Sequence, residues 1–254
     1  KIMNLSRFNY TLKNIIKKLF KKIGISIKPL NVTNDESVQL CNYLSFNNIK
    51  FVLDVGANKG QFAQSILMKN STYKIISVEP ISNCHKILER NSKNFKNWII
   101  YKKKVAISNT KTNKNFFITS SDHSSSLLKP IHSDNLDEKI SKAHKVVEKI
   151  QIKTITIKDL LFDTGINPSE TFLKLDIQGM EFKVIESLFL DKLKFKIIMI
   201  EASLEPLYYD EKSFEDLKEI LFINGYKIDI IRNTLVSDKN FKTLQLNVCF
   251  SLIE

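Results

Sequence analysis

Phe51-Val-Leu-Asp-Val-Gly-Ala-Asn-Lys-Gly-Gln-Phe-Ala63 starts as an apolar run, breaks at Asp54 into small residues and resumes with helical spacing. The pattern predicts a strand, a tight turn and a helix. Gly56 and Gly60 carry no Cβ, so the turn can take positive φ and a ligand can lie against the amides of a helix N-terminus. Working outward, Tyr73 to Val78 reads as a second strand ending on Glu79-Pro80. That places a carboxylate at the tip of the neighbouring strand, where two vicinal ribose hydroxyls could donate to it. A third copy of the design is Thr171-Phe-Leu-Lys-Leu-Asp-Ile-Gln-Gly-Met-Glu181, a buried strand ending at Asp176 with a helix entered near Gly179.

What the first turn lacks narrows the ligand. A dinucleotide site wants G-x-G-x-x-G and a phosphate loop wants G-x-x-x-x-G-K-[ST]; neither is present. The remaining pattern, D-x-G-A-N-x-G, resembles the first motif of class I S-adenosylmethionine-dependent methyltransferases. With DVGANKGQFA, VEP, LKLDIQGMEF and IEASLEPLY in this order, the chain resembles the FkbM-type methyltransferases over about residues 51–252. The resemblance implies an O-methyltransferase acting on a hydroxyl of a sugar, glycan or glycosylated metabolite. It also implies a Rossmann-like α/β fold, with a mostly parallel seven-stranded sheet, helices on both faces and an antiparallel last strand.

The cofactor implied is S-adenosyl-L-methionine. Its expected site comprises Asp54, Gly56, Ala57, Asn58, Gly60, Gln61 and Phe62 in the first motif, Glu79 and Pro80 at the second strand tip, then Ala106, Ser125 and Asp176. An alcohol must lose its proton during attack, so a base or a divalent metal must assist. Asp176 is the best-placed carboxylate, Glu201 and Glu205 near the next strand end could share the task, and Glu181 follows one turn into a helix. Asp176 and Glu201 are hard oxygen ligands that would suit Mg²⁺. His123, amid Ser120 to Ser126, is a second candidate base. Ser124, Ser125 and Ser126 can donate to a cofactor carboxylate or to sugar hydroxyls, and Tyr208 and Tyr209 could line the acceptor pocket.

The path between motifs alternates strand and helix, which implies a parallel sheet with cofactors outside its carboxyl ends. The alternation lapses over about residues 109–157, read as an insertion and a candidate acceptor-side lid. Two parts are expected: residues 1–50, with a basic helix, a linker and a second helix; and residues 51–254, the catalytic domain. Net charge is +12, and residues 1–28 hold eight basic side chains and no acid. There Leu12, Ile15, Ile16, Leu19, Phe20 and Ile23 form one stripe opposite the lysines. That stripe over residues 3–28 could meet an anionic membrane interface, pack on the domain, or join a second copy in a homodimer. No signal-peptide core or spanning segment is legible, and Cys41, Cys84 and Cys249 form no C-x-x-C pair, so a cytoplasmic protein is expected. Nucleic acid is not expected as a partner, since D/N-P-P-Y and Pro-Cys motifs are missing and the basic residues lie away from the site. Open alternatives are another small-molecule or nucleic-acid acceptor, or a non-catalytic cofactor-binding protein.

Overall fold

Strand β1 (Phe51–Val55) puts Leu53 and Val55 on one face of the sheet and Val52 on the other, and neighbouring strands keep the same alternation. This is a computed structural model in which residues 35–132 and 137–253 are described; the helix expected over residues 3–28 lies outside them. The chain divides into Lys1–Gln39 and Leu40–Glu254. The second unit starts ahead of the boundary expected at residue 50, because Leu40, Cys41 and Leu44 of helix α1 (Glu36–Phe46) belong to its core. Asp35 opens that helix, its Oδ1 accepting from the Ser37 amide at 2.9 Å.

From β1 the chain runs through α2 (Gln61–Lys69), β2 (Lys74–Val78), α3 (Ser82–Ser92), β3 (Trp98–Ile100) and β4 (Ala106–Ile107). Next come β5 (Asn113–Thr119), α4 (Glu138–Ala143), β6 (Val146–Ile155) and α5 (Ile157–Thr164). The chain continues through β7 (Thr171–Leu175), α6 (Glu181–Leu190), β8 (Ile197–Ser203), α7 (Phe214–Ile223), β9 (Tyr226–Val236) and β10 (Thr243–Leu252). The main sheet has the order β3-β2-β1-β7-β8-β10-β9, all neighbours parallel except β10, which is antiparallel to β8 and β9. This is the expected seven-stranded α/β sheet.

Residues pointing to one face, among them Leu53, Leu173 and Ile198, bury against α5, α6 and α7; Val52, Phe172 and Ile197 bury against α1, α2 and α3. Each such side chain contributes roughly 1.5–3 kcal/mol on leaving water. All three cysteines are buried, as expected of small apolar residues.

Two local readings need correction. Helix α5 was not anticipated, although Thr156 and Asp159 form a capping box and Gly165 ends it at φ 66°. In the sequence, Arg232-Asn-Thr-Leu-Val-Ser-Asp-Lys239 reads as the connection between two terminal strands. Strand β9 instead runs to Val236, because its backbone ladder with β10 continues through Asn233 and Leu235. Polar side chains are tolerated there because an edge strand has one face in water.

The insertion forms a separate three-stranded sheet, β4-β6-β5. Ala106 therefore sits in this small sheet and not at a tip of the main one. Asp137 secures the insertion to the β9–β10 turn, accepting from Ser237 Oγ at 3.1 Å and from the amides of Asp238 at 2.7 Å and Lys239 at 3.1 Å.

Candidate functional site

The carboxyl ends of β1, β2 and β7 enclose a cleft of about 570 Å³ lined by Gly56, Asn58, Glu79, Pro80, Ala106, Asp122, His123, Ser125, Asp176 and Gln178, among others. Gly56 has φ 77°, and a Cβ there would fall 1.8 Å from the Asp176 carbonyl oxygen. The glycine lets the β1 turn press against the tip of β7.

Several expected cofactor residues do not line the cleft. Ala57 belongs to the core cluster, Gln61 is exposed, and Phe62 stacks on Phe172 at 6.2 Å. At Gly60, φ is 90° and a Cβ would meet the Trp98 ring at 2.4 Å, so packing and not a ligand requires glycine there. The turn amides are also taken by the protein: those of Gly56 and Ala57 donate to the Val78 carbonyl at 3.1 and 3.0 Å.

Asp54 lies beneath the cleft, fully buried, accepting from Ser77 Oγ at 3.1 Å. Its Oδ1 is 3.2 Å from Lys174 Nζ, and the same nitrogen is 3.2 Å from Asp176 Oδ2. Burial alone would lower the Lys174 pKa; the two aspartates more than offset it and hold it above the ordinary lysine range. Losing one member would strand a buried charge, at a cost of about 3–5 kcal/mol. Asp54 thus sets charge and position from below.

Glu79 stays at the cleft wall as expected. Its Oε2 accepts from the Asn58 amide and its Oε1 from the Ile81 amide, both at 2.8 Å. Burial pushes its pKa up to about 7, opposed by these two bonds. Each oxygen keeps a further lone pair for a hydroxyl donor. Across the mouth, Lys59 Nζ pairs with Asp122 Oδ2 at 2.8 Å, joining the glycine turn to the insertion.

A second cavity of about 730 Å³ opens between the insertion and the β9–β10 hairpin. Glu201, Gln178, His123 and Ser124 line it, with Ile140, Ala143, His144, Thr234, Leu235 and Gln245 among the remaining wall. His123 and Gln178 belong to both spaces. Asp176 therefore faces the first and Glu201 the second.

Gln178 joins them. Its Nε2 donates to Asp176 Oδ1 at 2.9 Å and to Glu201 Oε2 at 2.6 Å, while its Oε1 accepts from the Tyr208 hydroxyl at 2.7 Å. Its carbonyl accepts from Ser126 Oγ at 2.6 Å, and its backbone holds φ 55°. Burial pushes Glu201 up to about 8, with the Asp176 charge adding to the rise and the Gln178 bond opposing it.

The Mg²⁺ option does not fit this arrangement. Gln178 places an amide donor between the two carboxylates, and among the described residues no group of three or more His, Cys, Asp and Glu could hold a metal. Glu181 is likewise no acceptor-site acid: its carboxylate receives the amides of Ile177 at 2.7 Å and Gly179 at 2.8 Å. Tyr208 is fully buried, and Tyr209, outside both cavities, lies beneath Lys129. Ser125 Oγ is engaged by the Thr119 amide at 3.1 Å.

Reading the sequence missed Gln178, Lys174 and His144. A lysine inside the apolar run Phe172 to Leu175 and a residue just before the turn Gly179 were the available signals for the first two. His144 had none.

No helix among the described residues is long and apolar enough to cross a membrane. No curated protein matches the chain. Among solved structures, it is similar to precorrin-6y C5,15-methyltransferase from Geobacter metallireducens, with 12% identity, 91% of this chain and 94% of that one covered, and a TM-score of 0.45. A putative rRNA methylase from Clostridium thermocellum is similar at 11% identity, covering 91% and 99%, TM-score 0.45. A putative RNA methyltransferase from Pyrococcus horikoshii follows at 11% identity, covering 86% and 83%, TM-score 0.44. At such identities nothing follows about this chain's substrate. The model of the methyltransferase FkbM domain matches residues 54–228, and the chain belongs to that family.

Proposed function

We propose that this chain is an S-adenosylmethionine-dependent O-methyltransferase whose acceptor is a hydroxyl of a sugar, glycan or glycosylated metabolite. The observation that carries this reading is the meeting of two cavities at Gln178, with Asp176 on one side and Glu201 on the other. The cofactor, when bound, supplies a methyl group on a sulfonium. Glu79 would hold the ribose through the lone pairs its two amide bonds leave over. Asp176, beside Lys174, would hold the cationic end of the cofactor.

Glu201 faces the second cavity and takes the acceptor's proton. Burial and the Asp176 charge raise its proton affinity, so turnover is expected to climb as pH rises through about 8 and Glu201 ionises. Gln178 fixes both carboxylates, so alignment is built in before the acceptor arrives. This assignment shifts the acceptor role expected of Asp176 to Glu201, and His123, exposed between the two cavities, becomes a boundary residue.

Calorimetry with S-adenosylhomocysteine and NAD tests the cofactor class: binding of the first and not the second is expected, and no binding of the first defeats the proposal. Labelled methyl transfer to a panel of glycosides, scored as alkali-stable label, separates ether formation from ester formation. Alkali-labile label would overturn the acceptor class.

A further inference from the structure

His144 follows α4 in the wall of the second cavity and is 5% exposed. Its Nδ1 stands 2.9 Å from the Ile140 carbonyl oxygen. A carbonyl can only accept, so Nδ1 carries the proton and Nε2 is left as a bare lone pair. Burial holds the ring below the ordinary histidine range, with the Ile140 bond opposing and His132 reinforcing, so the ring is neutral at pH 7.

That Nε2 is buried without a hydrogen-bond partner. Two other buried side-chain atoms among the described residues share this condition, but each has a charged group beside it: Lys174 at 3.2 Å from Asp54 Oδ1, and Glu89 at 3.6 Å from His85 Nδ1. A buried acceptor left unmade is rare in folded proteins and calls for an explanation. The ring is also oriented, lying 5.4 Å from the Tyr208 ring, whose hydroxyl donates to Gln178. His144 is thereby tied to the same network that spans Asp176 and Glu201.

The surrounding wall mixes hydrogen-bonding side chains, Glu201, Thr234 and Gln245, with apolar ones, Ile140 and Leu235. A sugar ring divides in the same way, with hydroxyls around its rim and C–H groups on its faces. Resting on the methyltransferase reading, we propose that His144 is an acceptor-binding residue, its Nε2 receiving a hydrogen bond from a hydroxyl of a neutral polyhydroxylated acceptor. The missing partner of the buried nitrogen is then the acceptor itself.

The test uses the full chain labelled with ¹⁵N-histidine and saturated with S-adenosylhomocysteine. Glycerol serves as a generic polyol, and tetrahydropyran as a ring without hydroxyls. The His144 Nε2 resonance is expected to report an unprotonated nitrogen that moves upfield, saturably, with glycerol and stays in place with tetrahydropyran. His144→Gln assigns the signal by deleting it; if that variant does not fold, His85→Gln, His123→Gln and His132→Gln assign the other three histidine signals one by one and leave that of His144. A protonated Nε2, no movement up to molar glycerol, or an equal response to tetrahydropyran overturns the proposal. Failure to bind S-adenosylhomocysteine defeats the methyltransferase reading, whereas binding with an unresponsive His144 defeats this inference alone.

Discussion

The turn after β1 and the turn after β7 solve one problem with the same part. Each bends the backbone through positive φ, at Gly56, Asn58 and Gly60 in the first and at Gln178 and Gly179 in the second. Beside each, one buried carboxylate accepts two backbone amides, both from the turn after β7 but only Asn58 from the turn after β1. Glu79 reaches across from the end of β2 to Asn58 and Ile81, whereas Glu181 folds back from the first residue of α6 onto Ile177 and Gly179. Glu79 borders the cleft, while Glu181 lines neither cavity. A carboxylate supplied from the adjacent strand keeps lone pairs facing a ligand; one supplied by the same turn is sealed by it.

Glycine substitution should break the comparison most sharply. Gly56→Ala drives a Cβ into the Asp176 carbonyl, a backbone atom that cannot yield, and is expected to lower S-adenosylhomocysteine affinity by at least about 10²-fold if the protein still folds. Gly179→Ala would meet the Leu128 and Tyr208 side chains at 3.1 and 3.3 Å, which can give, leaving mainly the strain of φ 94°. Calorimetry and urea unfolding on both variants check the ranking; equal losses would mean that the turns are equivalent.

The two glutamates should separate next. Glu181→Ala strands two amides and is expected to cost about 2–4 kcal/mol of stability with little change in cofactor affinity. Glu79→Ala should weaken S-adenosylhomocysteine by about 1.5–3 kcal/mol, since hydrogen bonds to a charged group are lost. If Glu181→Ala loses affinity and Glu79→Ala keeps it, the assignment is reversed. In the second cavity, Glu201→Gln should lower turnover by about 10² with cofactor affinity retained, while Asp176→Asn should weaken cofactor binding.

The smallest effects are in pH. Glu79 and Glu201 keep their protons to about pH 7 and 8 in the fold, but only to about 4.3 when unfolded. The folded chain therefore binds more protons across that window, and stability should fall as pH rises through it, levelling off above. Denaturant unfolding between pH 5 and 9 reads this, and Glu201→Gln should flatten the upper part. Ribose hydroxyls favour the ionised Glu79, so cofactor binding near pH 6.5 should release protons; calorimetry in buffers of different ionisation enthalpy measures that release.

Strand and helix were legible wherever one periodicity held. Phe51–Val55, Lys74–Val78 and Thr171–Leu175 fall where the apolar pattern puts them. Glu79 was legible because its neighbourhood is short range: a strand ends, and the carboxylate sits at its tip. Helix α5 was lost behind the long polar strand before it, although its capping box is local and could have been read.

The sequence by itself determined the sheet, the two glycine turns and the carboxylates at the strand tips, because these follow from local spacing and backbone sterics. Only the tertiary structure decided what each carboxylate does. Asp54 and Asp176 share Lys174, Glu181 closes its own turn, and Gln178 carries the link to Glu201. The empty acceptor on His144 likewise arises where α4 meets Tyr208, 64 positions further along the chain. Burial and partner geometry set the charge of a polar group, and both depend on residues far apart in sequence.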